Sequence, residues 1–281
     1  MFQEILVATD GSDLATLSAE QGLAVAKTFD ATIHAVSVVE TADDGDLESV
    51  SEERRDDCRH FVDAIEADAI DRDVDVVTAV RAGRPSRELL AYADENEVDL
   101  VVVGTHGRTG IRRWIMGSVA TSVLRDARCP TLTVNASVTS VPRAFDDILV
   151  ATDGRPGADA AIDRGLDLAE AYGATVHAVS VVDDTHSHMR VVLDEFERVS
   201  EESTAEITTR ATERGVNAVS AVERGLPHET LVAYASDHDV DLVVIGTESR
   251  SGLERLVIGS VSQRVVCEAP VPVLTVRAGL A

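Results

Sequence analysis

The stretch Val98-Asp-Leu-Val-Val-Val-Gly-Thr105 decides the fold, and it returns almost unchanged as Val240-Asp-Leu-Val-Val-Ile-Gly-Thr247. Leu100–Val103 is apolar at every position, which is typical of an interior parallel strand covered on both faces. Two other segments are repeated in the same way: Ile5–Gly11 as Ile148–Gly154, and His34–Val39 as His177–Val182. The offset is 142 to 143 residues. A period of that length is a whole domain, so the chain is a tandem duplication.

Within the first copy, apolar runs alternate with helical periods. The predicted strands are Glu4–Thr9, Thr32–Val39, Val74–Val80, Leu100–Val103 and Thr131–Val134, with helices between them. We expect a long charged helix from about Glu48 to Asp71, and a later helix capped by Ser86. This alternation predicts an α/β fold, with a parallel sheet and helices on both of its faces.

The second copy repeats this order from Asp147 to Val276. We therefore predict two domains, residues 1–140 and residues 141–281, with the polar stretch Asn135–Arg143 as the linker between them. Each predicted domain is large enough to bury a core of its own.

The composition is strongly acidic, with a net charge of -25 from 50 acidic and 25 basic residues. Lys27 is the one lysine among those bases. A field of this sign repels nucleic acid and anionic membranes, so neither is an expected partner. The excess of carboxylates over lysine favours a protein adapted to molar salt, with simple solubility as the alternative reading. Self-repulsion costs little there because the Debye length is about 3 Å.

The three cysteines, Cys58, Cys129 and Cys267, have no paired spacing and are expected to be free thiols in a reducing compartment. The chain opens without a signal-peptide pattern and contains no run of 18 apolar residues. We therefore expect a cytoplasmic protein.

A glycine-rich loop follows the fourth strand and carries the strongest functional signal. Gly104 and Gly107 are followed, after nine residues, by Gly117-Ser118, which begins a helix. Glycines let a ligand approach the backbone closely, and the start of a helix attracts an anion. Ser118 has two open roles, as the helix cap or as a phosphate ligand. The loop lacks the lysine of a P-loop and the spacing of the dinucleotide fingerprint.

Asp10 ends the first strand and would face the same crevice if the first and fourth strands are neighbours. A carboxylate at that place suits ribose hydroxyls or a divalent cation on the phosphates. The alternative is that the glycines only make turns, but the three glycines, Ser118 and Asp10 together favour a nucleotide site.

The layout G-x2-G-x9-G-S, read as Gly104, Gly107, Gly117 and Ser118, resembles the universal stress protein family, as does the opening Ile5-Leu-Val-Ala-Thr-Asp-Gly-Ser12. The resemblance covers almost the whole chain twice. It implies a Rossmann-like five-stranded sheet in each half with the order 3-2-1-4-5, ATP binding in one branch of the family, with or without Mg²⁺, and dimerisation through the fifth strand. A tandem chain would then form an intramolecular pseudo-dimer, and a homodimer of the whole chain is a further possible assembly.

The same resemblance implies the site residues. Asp10 would meet ribose or metal, the backbone of Ala35 would read adenine, and the phosphates would be held by Gly104, Gly107, Arg108, Gly117, Ser118 and the amide of Val119. The corresponding residues of the second copy are Asp153, Ala178, Gly246, Gly259 and Ser260.

The second copy departs from this pattern at the loop. Ser249 replaces the second glycine and Glu248 replaces His106. If the position requires a positive φ, serine costs about 1 kcal/mol or more there, and the carboxylate repels a polyphosphate. Arg155, which replaces Ser12, offsets part of that charge. We expect the second site to bind nucleotide more weakly than the first.

Histidines and cysteines elsewhere do not suggest metal or catalytic chemistry. His34 and His177 begin apolar strands and are read as structural, and the pairs His186/His188 and Cys58/His60 lack partners at a metal-binding spacing. Three functions remain open: an ATP-binding stress or regulatory module, a nucleotide-dependent enzyme such as a weak ATPase or nucleotidyl transferase, and a scaffold without ligand. The first is favoured because no base is evident at the loop.

Overall fold

The structure, a computed structural model, describes residues 1–41, 50–107, 116–184, 190–247 and 258–277. The chain divides into two compact units, Met1–Arg143 and Ala144–Ala281. No helix in these described ranges is both long and apolar enough to cross a membrane.

The first unit is a parallel sheet with helices between its strands. Its elements are β1 (Glu4–Ala8), α1 (Asp13–Phe29), β2 (Thr32–Glu40), α2 (Glu52–Asp71), β3 (Val76–Gly83), α3 (Pro85–Glu95), β4 (Leu100–Gly104), α4 (Ser118–Asp126) and β5 (Thr131–Val134). The strands pair in the order β3-β2-β1-β4-β5, and every pairing is parallel. The predicted α/β fold and the strand order implied by the resemblance are confirmed.

The second unit repeats this architecture. Its elements are β6 (Asp147–Thr152), a 3₁₀ turn (Pro156–Ala158), α5 (Asp159–Tyr172), β7 (Thr175–Val182), α6 (Arg190–Glu213), β8 (Ala218–Arg224), α7 (Pro227–Asp237), β9 (Leu242–Gly246), α8 (Ser260–Glu268) and β10 (Val273–Val276). The order β8-β7-β6-β9-β10 matches the first unit strand for strand.

Apolar residues on both faces of the sheet explain why its strands lack a polar side. In the first unit, Val36 packs with Leu89 of α3 and Val123 of α4. Val39 lies three residues further along β2, on the opposite face because side chains alternate, and packs with Cys58 of α2. The interior strands are therefore covered by helices above and below, as the continuous apolar runs predict.

Two predicted helix starts are wrong. Helix α3 begins at Pro85 with Arg84 as its N-cap, so Ser86 already lies inside the helix and cannot cap it. Proline has the φ of a first helical residue and loses no hydrogen bond there, so the helix starts one residue earlier. Helix α2 begins at Glu52 instead of Glu48, with Ser51 at the cap.

The repeated histidines have structural roles, as the sequence indicates. The ring of His34 contacts the Tyr92 hydroxyl at 2.9 Å through Nδ1 and the Glu4 carboxylate at 2.7 Å through Nε2. His177 makes the same two contacts with Tyr234 at 3.1 Å and Asp147 at 2.9 Å. Each buried imidazole is thus satisfied at both nitrogens, which ties a central strand to the helix packed on it.

Candidate functional site: a crevice at the carboxyl edge of each sheet

The first unit brings the ends of β1 and β4 together at one edge. The two strands are parallel neighbours, with Ile5 beside Leu100 and Val7 beside Val102. Asp10 follows β1 and Gly104 ends β4, so both lie at the carboxyl edge, where open α/β sheets bind their ligands. The expectation that Asp10 faces the glycine-rich loop depended on this neighbour relation, and the relation holds.

The turn after β1 holds Asp10 in a defined place. The Asp10 carboxylate accepts a hydrogen bond from the Ser12 amide at 3.1 Å, and the Thr9 hydroxyl accepts one from the Gly11 amide at 3.2 Å. Ser12 then caps α1 by accepting from the Ala15 amide. The first helix therefore starts directly beside the carboxylate that the crevice presents.

Gly11 shows how closely this turn is packed. Its φ is +76°, in the left-handed region, and a Cβ atom there would overlap the ring of Phe61. Phe61 belongs to α2, so a helix distant in sequence closes one side of the turn. Sequence reasoning missed this contact, because only the repeated Asp-Gly pair indicated that the turn is special.

The glycine-rich loop has its two ends joined by a backbone hydrogen bond. The Gly117 amide donates to the Thr105 carbonyl at 2.7 Å, and the Thr105 amide donates to Val134 of β5 at 2.9 Å. The loop therefore leaves β4 and returns to within one hydrogen bond of it before α4 begins. Arg108, expected to hold phosphate, lies outside the described residues.

The glycines are needed for close approach rather than for an unusual φ. A Cβ atom on Gly117 would lie 3.1 Å from the Thr105 carbonyl, one on Gly104 would lie 3.1 Å from Leu14 Cγ, and one on Gly107 would overlap the Asp10 carboxylate. None of the three glycines has a left-handed φ. The Gly107 contact also shows that the loop reaches the carboxylate on the neighbouring strand.

The start of α4 supplies amide donors to this crevice. Gly117 is the N-cap residue and makes no side-chain cap, so Ser118 is the first helical residue and is exposed. Of its two possible roles, capping is therefore excluded. The first-turn amides, among them that of Val119, have no acceptor within the helix, and the dipole adds positive potential there.

Ala35 and Ala178 are not brought to the loop residues. Ala35 is fully buried within β2, beside Val7 and Thr78, and Ala178 lies equally deep in β7. The register shows that the Thr9 amide bonds to the Val36 carbonyl, so Asp10 lies level with residues further along β2. Those later residues of β2 are the ones nearest the crevice.

The second unit keeps the backbone hydrogen bond that closes the loop and adds a side-chain hydrogen bond at the end of β9. The Gly259 amide donates to the Thr247 carbonyl at 3.0 Å, as Gly117 does to Thr105. Ser260 is exposed at the start of α8. The carbonyl of Gly246 additionally accepts from the Ser262 hydroxyl at 2.7 Å. Glu248 and Ser249 lie outside the described residues.

The turn after β6 differs most from its counterpart. Asp153 pairs with Arg155, its neighbour two residues on, with Nη1 3.4 Å from Oδ2, and both side chains are exposed. Helix α5 begins only at Asp159, after the 3₁₀ turn, and lacks a side-chain cap. This shift brings the Gly157 carbonyl to 3.1 Å from where a Cβ on Gly246 would lie, whereas Leu14 faces Gly104 in the first unit.

Among the residues that the structure describes, no group of three or more His, Cys, Asp or Glu side chains is arranged to hold a metal ion. Two groups whose pKa values are raised by burial lie at the amino edge of the sheet, away from the loop. Burial raises the pKa of the Asp99 carboxyl, just before β4, and that of the Cys129 thiol, just before β5.

The family model described as the universal stress protein family matches residues 1–135 and again residues 144–277. A universal stress protein of Mycobacterium tuberculosis is 31% identical over 221 residues, covering 76% of this chain and 73% of the relative. One from Methanocaldococcus jannaschii is 32% identical over 140 residues, covering 48% of this chain and 82% of the relative. The solved universal stress protein of Archaeoglobus fulgidus has the same fold, with a TM-score of 0.75 at 20% identity over 98% of each chain.

Proposed function

This chain belongs to the universal stress protein family, and on that premise we propose that its first unit binds ATP as a stress-response or regulatory module. One observation carries the proposal: the Gly107 backbone lies against the Asp10 carboxylate while the loop returns to the start of α4. Amide donors and a carboxylate acceptor thereby share one crevice, which matches the opposite needs of phosphates and ribose.

In this proposal the phosphates lie on the first-turn amides of α4 and on Ser118. Gly104, Gly107 and Gly117 keep side chains away from them, and Arg108 adds a cation. Asp10 accepts from the ribose or holds Mg²⁺ on the phosphates. The second unit binds more weakly, because Glu248 adds a negative charge and because Ser249 replaces the glycine that leaves room for the carboxylate in the first unit.

A binding role is favoured over an enzymatic one. Active sites usually contain buried groups with shifted pKa values, whereas the carboxyl and thiol groups whose pKa values burial raises, Asp99 and Cys129, lie at the opposite edge of the sheet. A weak ATPase or nucleotidyl transferase stays the alternative, as does a scaffold without ligand. Native mass spectrometry of the purified chain separates the three through carried ATP, turnover products or no ligand.

The test of ATP binding is Gly117→Val, with Gly259→Val as its matched control. A side chain at 117 meets the Thr105 carbonyl and blocks the approach of phosphates, so ATP binding should be lost by about a hundredfold or more. Calorimetry in molar salt measures the affinity. Gly259→Val makes the same change where the site is weaker and should leave the strong site intact. Unchanged affinity in Gly117→Val contradicts the assignment.

The titration includes cAMP beside ATP. One solved universal stress protein, matching 48% of this chain at 23% identity, is described in complex with cAMP. A single cyclised phosphate uses fewer amide donors than a triphosphate, so the loop should bind ATP more tightly. A stronger response to cAMP would replace the proposed ligand while leaving the site.

We also propose that the chain works at high salt in the cytoplasm and that its two domains associate through their fifth strands, β5 and β10. An open strand edge favours pairing, and a short linker raises the effective concentration of the two halves. Residues 1–140 alone should then dimerise in sedimentation experiments at micromolar concentration. A stable monomer contradicts this assembly.

A further inference from the structure

The beginning of α2 in the first unit carries two adjacent arginines with different surroundings. Arg54 donates from Nη2 to the carbonyl of Glu40, the last residue of β2, at 2.6 Å. Arg55 is partly buried, and its Nε atom is fully buried with no hydrogen-bond partner among the residues that the structure describes. An unpartnered buried donor on a charged group costs about 1–3 kcal/mol or more, so a partner is expected.

This place lies at the same edge as the proposed nucleotide site. The bond from Arg54 to Glu40 shows that the start of α2 lies at the carboxyl end of β2. The next strand is β1, which leads to Asp10, and the one after it is β4, which leads to the glycine-rich loop. Two strand spacings, about 10 Å, thus separate the loop from the β2 side of the crevice.

A second unpartnered polar atom lies nearby. Ser37 of β2 is 1% exposed, and its hydroxyl has no hydrogen-bond partner among the described residues. In the second unit the hydroxyl of its counterpart Ser180 donates a hydrogen bond to the hydroxyl of Ser200 of α6 at 3.0 Å. Cys58 stands in place of Ser200 in the first unit, one helical turn after Arg55.

The second unit also replaces both arginines. Phe196 corresponds to Arg54, and Glu197 corresponds to Arg55. Glu197 has a partner of its own, because it accepts from Arg224 at 2.6 Å. The two unpartnered polar atoms therefore belong to the unit with the complete loop, and their counterparts are paired inside the unit with the altered loop.

We propose that Arg55 is a further ligand-contacting residue, which donates to the base of the nucleotide bound in the first unit. The inference rests on the proposed function, since the loop and α4 hold the phosphates at β4 and leave the nucleoside to extend toward β2. A guanidinium is a donor at every nitrogen, and purine rings offer acceptors such as N7. The glycine-rich loop recognises the triphosphate, and Arg55 recognises the nucleoside attached to it.

The experiment compares ATP with inorganic tripolyphosphate by calorimetry in molar salt, using the full chain. In the unmodified protein ATP should bind more tightly than tripolyphosphate. Arg55→Gln should weaken ATP binding about tenfold or more and leave tripolyphosphate binding unchanged, since hydrogen bonds to charged groups contribute on this scale. Arg55→Lys should resemble Arg55→Gln, because it keeps the charge and loses the planar guanidinium with its fixed donors.

Arg54→Gln is the matched control. It removes the same charge from the adjacent residue, whose guanidinium is engaged with Glu40, so both affinities should stay within about twofold where salt screens distant charges. An equal loss of ATP and tripolyphosphate affinity in Arg55→Gln would mean that Arg55 contacts phosphate, and the proposal would be overturned. Unchanged ATP affinity in Arg55→Gln, together with a lower urea midpoint, would mean that Arg55 stabilises the protein and does not contact the nucleotide. This result would also overturn the proposal.

A failure of the proposed function is distinguishable from a failure of this inference. If the unmodified chain binds neither ATP nor tripolyphosphate, the nucleotide site itself is wrong and Arg55 loses its role with it. If the unmodified chain binds ATP and the Arg55 variants bind it equally well, the site stands and only the inference about Arg55 fails.

Discussion

The first unit begins its first helix directly beside the crevice, whereas the second unit begins it one turn later. Ser12 caps α1 in the first unit, whereas Arg155 in the same place pairs with Asp153 and the second unit's helix α5 has no side-chain cap. The sheets and the closing hydrogen bonds of the two loops are nevertheless the same. The duplicated domains thus keep the same scaffold and differ in a few residues that line the crevice at its carboxyl edge.

The largest expected effect concerns the turn after the first strand. Gly11→Ala should destabilise the chain by about 2–4 kcal/mol, because alanine is strained at a φ of +76° and its Cβ overlaps Phe61. Gly154→Ala, the same change in the second unit, meets Val199 at 3.0 Å and should cost less. Urea unfolding in molar salt measures both free energies of unfolding.

Gly173→Ala is the control for backbone strain alone. Its φ is +69°, and no atom lies within 4 Å of the added Cβ. The expected loss is about 1 kcal/mol. Equal losses in Gly11→Ala and Gly173→Ala would show that Phe61 moves aside without cost and that the turn is less constrained than its contacts indicate.

The sequence predicted the parts of this architecture that repeat locally. The apolar run at Leu100–Val103 indicated a covered interior strand, and the spacing of Gly104, Gly107 and Gly117 indicated a loop that approaches a ligand. It did not predict the contact between Phe61 and Gly11, because that contact joins a helix and a turn fifty residues apart. The cap of α3 was also missed, since Pro85 determines the helix start and Ser86 does not.

The second prediction tests the asymmetry of the two sites. The full chain should bind one ATP tightly, and Glu248→His with Ser249→Gly should raise the stoichiometry toward two. Backbone strain does not explain the need for glycine, because Gly107 has no left-handed φ; its missing side chain makes room for the Asp10 carboxylate, and a serine would fill that space. We expect the paired change to tighten the second site by about tenfold or more, as one removed charge and one cleared contact imply.

Calorimetric stoichiometry with the unmodified chain is the reference for that measurement. Two equivalent sites without any substitution would contradict the asymmetry and assign a compensating role to Arg155 or a bound cation. A stricter test adds Arg155→Ser to the chain that carries Glu248→His and Ser249→Gly. This third change frees the Asp153 carboxylate and restores the serine that caps α1 in the first unit.

The last prediction concerns a difference between the two units at alkaline pH. Burial, with the nearby Asp99 and Asp94 carboxylates, raises the pKa of the Cys129 thiol from 9.0 to about 12, whereas Val271 occupies the same place in the second unit. The Cys129 thiol has a higher pKa in the folded chain than in the unfolded chain. Its contribution to the stability of the folded state is therefore present below pH 9 and is lost as the pH rises from 9 toward 12. At pH 10 the loss is about 1.4 kcal/mol relative to neutral pH.

Cys129→Val copies the second unit and removes this titration. Burial also raises the pKa values of Tyr92 and Tyr234, so both proteins should lose stability in alkali, but the variant should lose less. The informative quantity is the difference between the two urea stabilities at pH 8 and at pH 10, in which the shared tyrosine contributions cancel. Parallel pH profiles would mean that the Cys129 thiolate is solvated in the folded first unit, and that the amino edges of the two sheets respond to alkali alike.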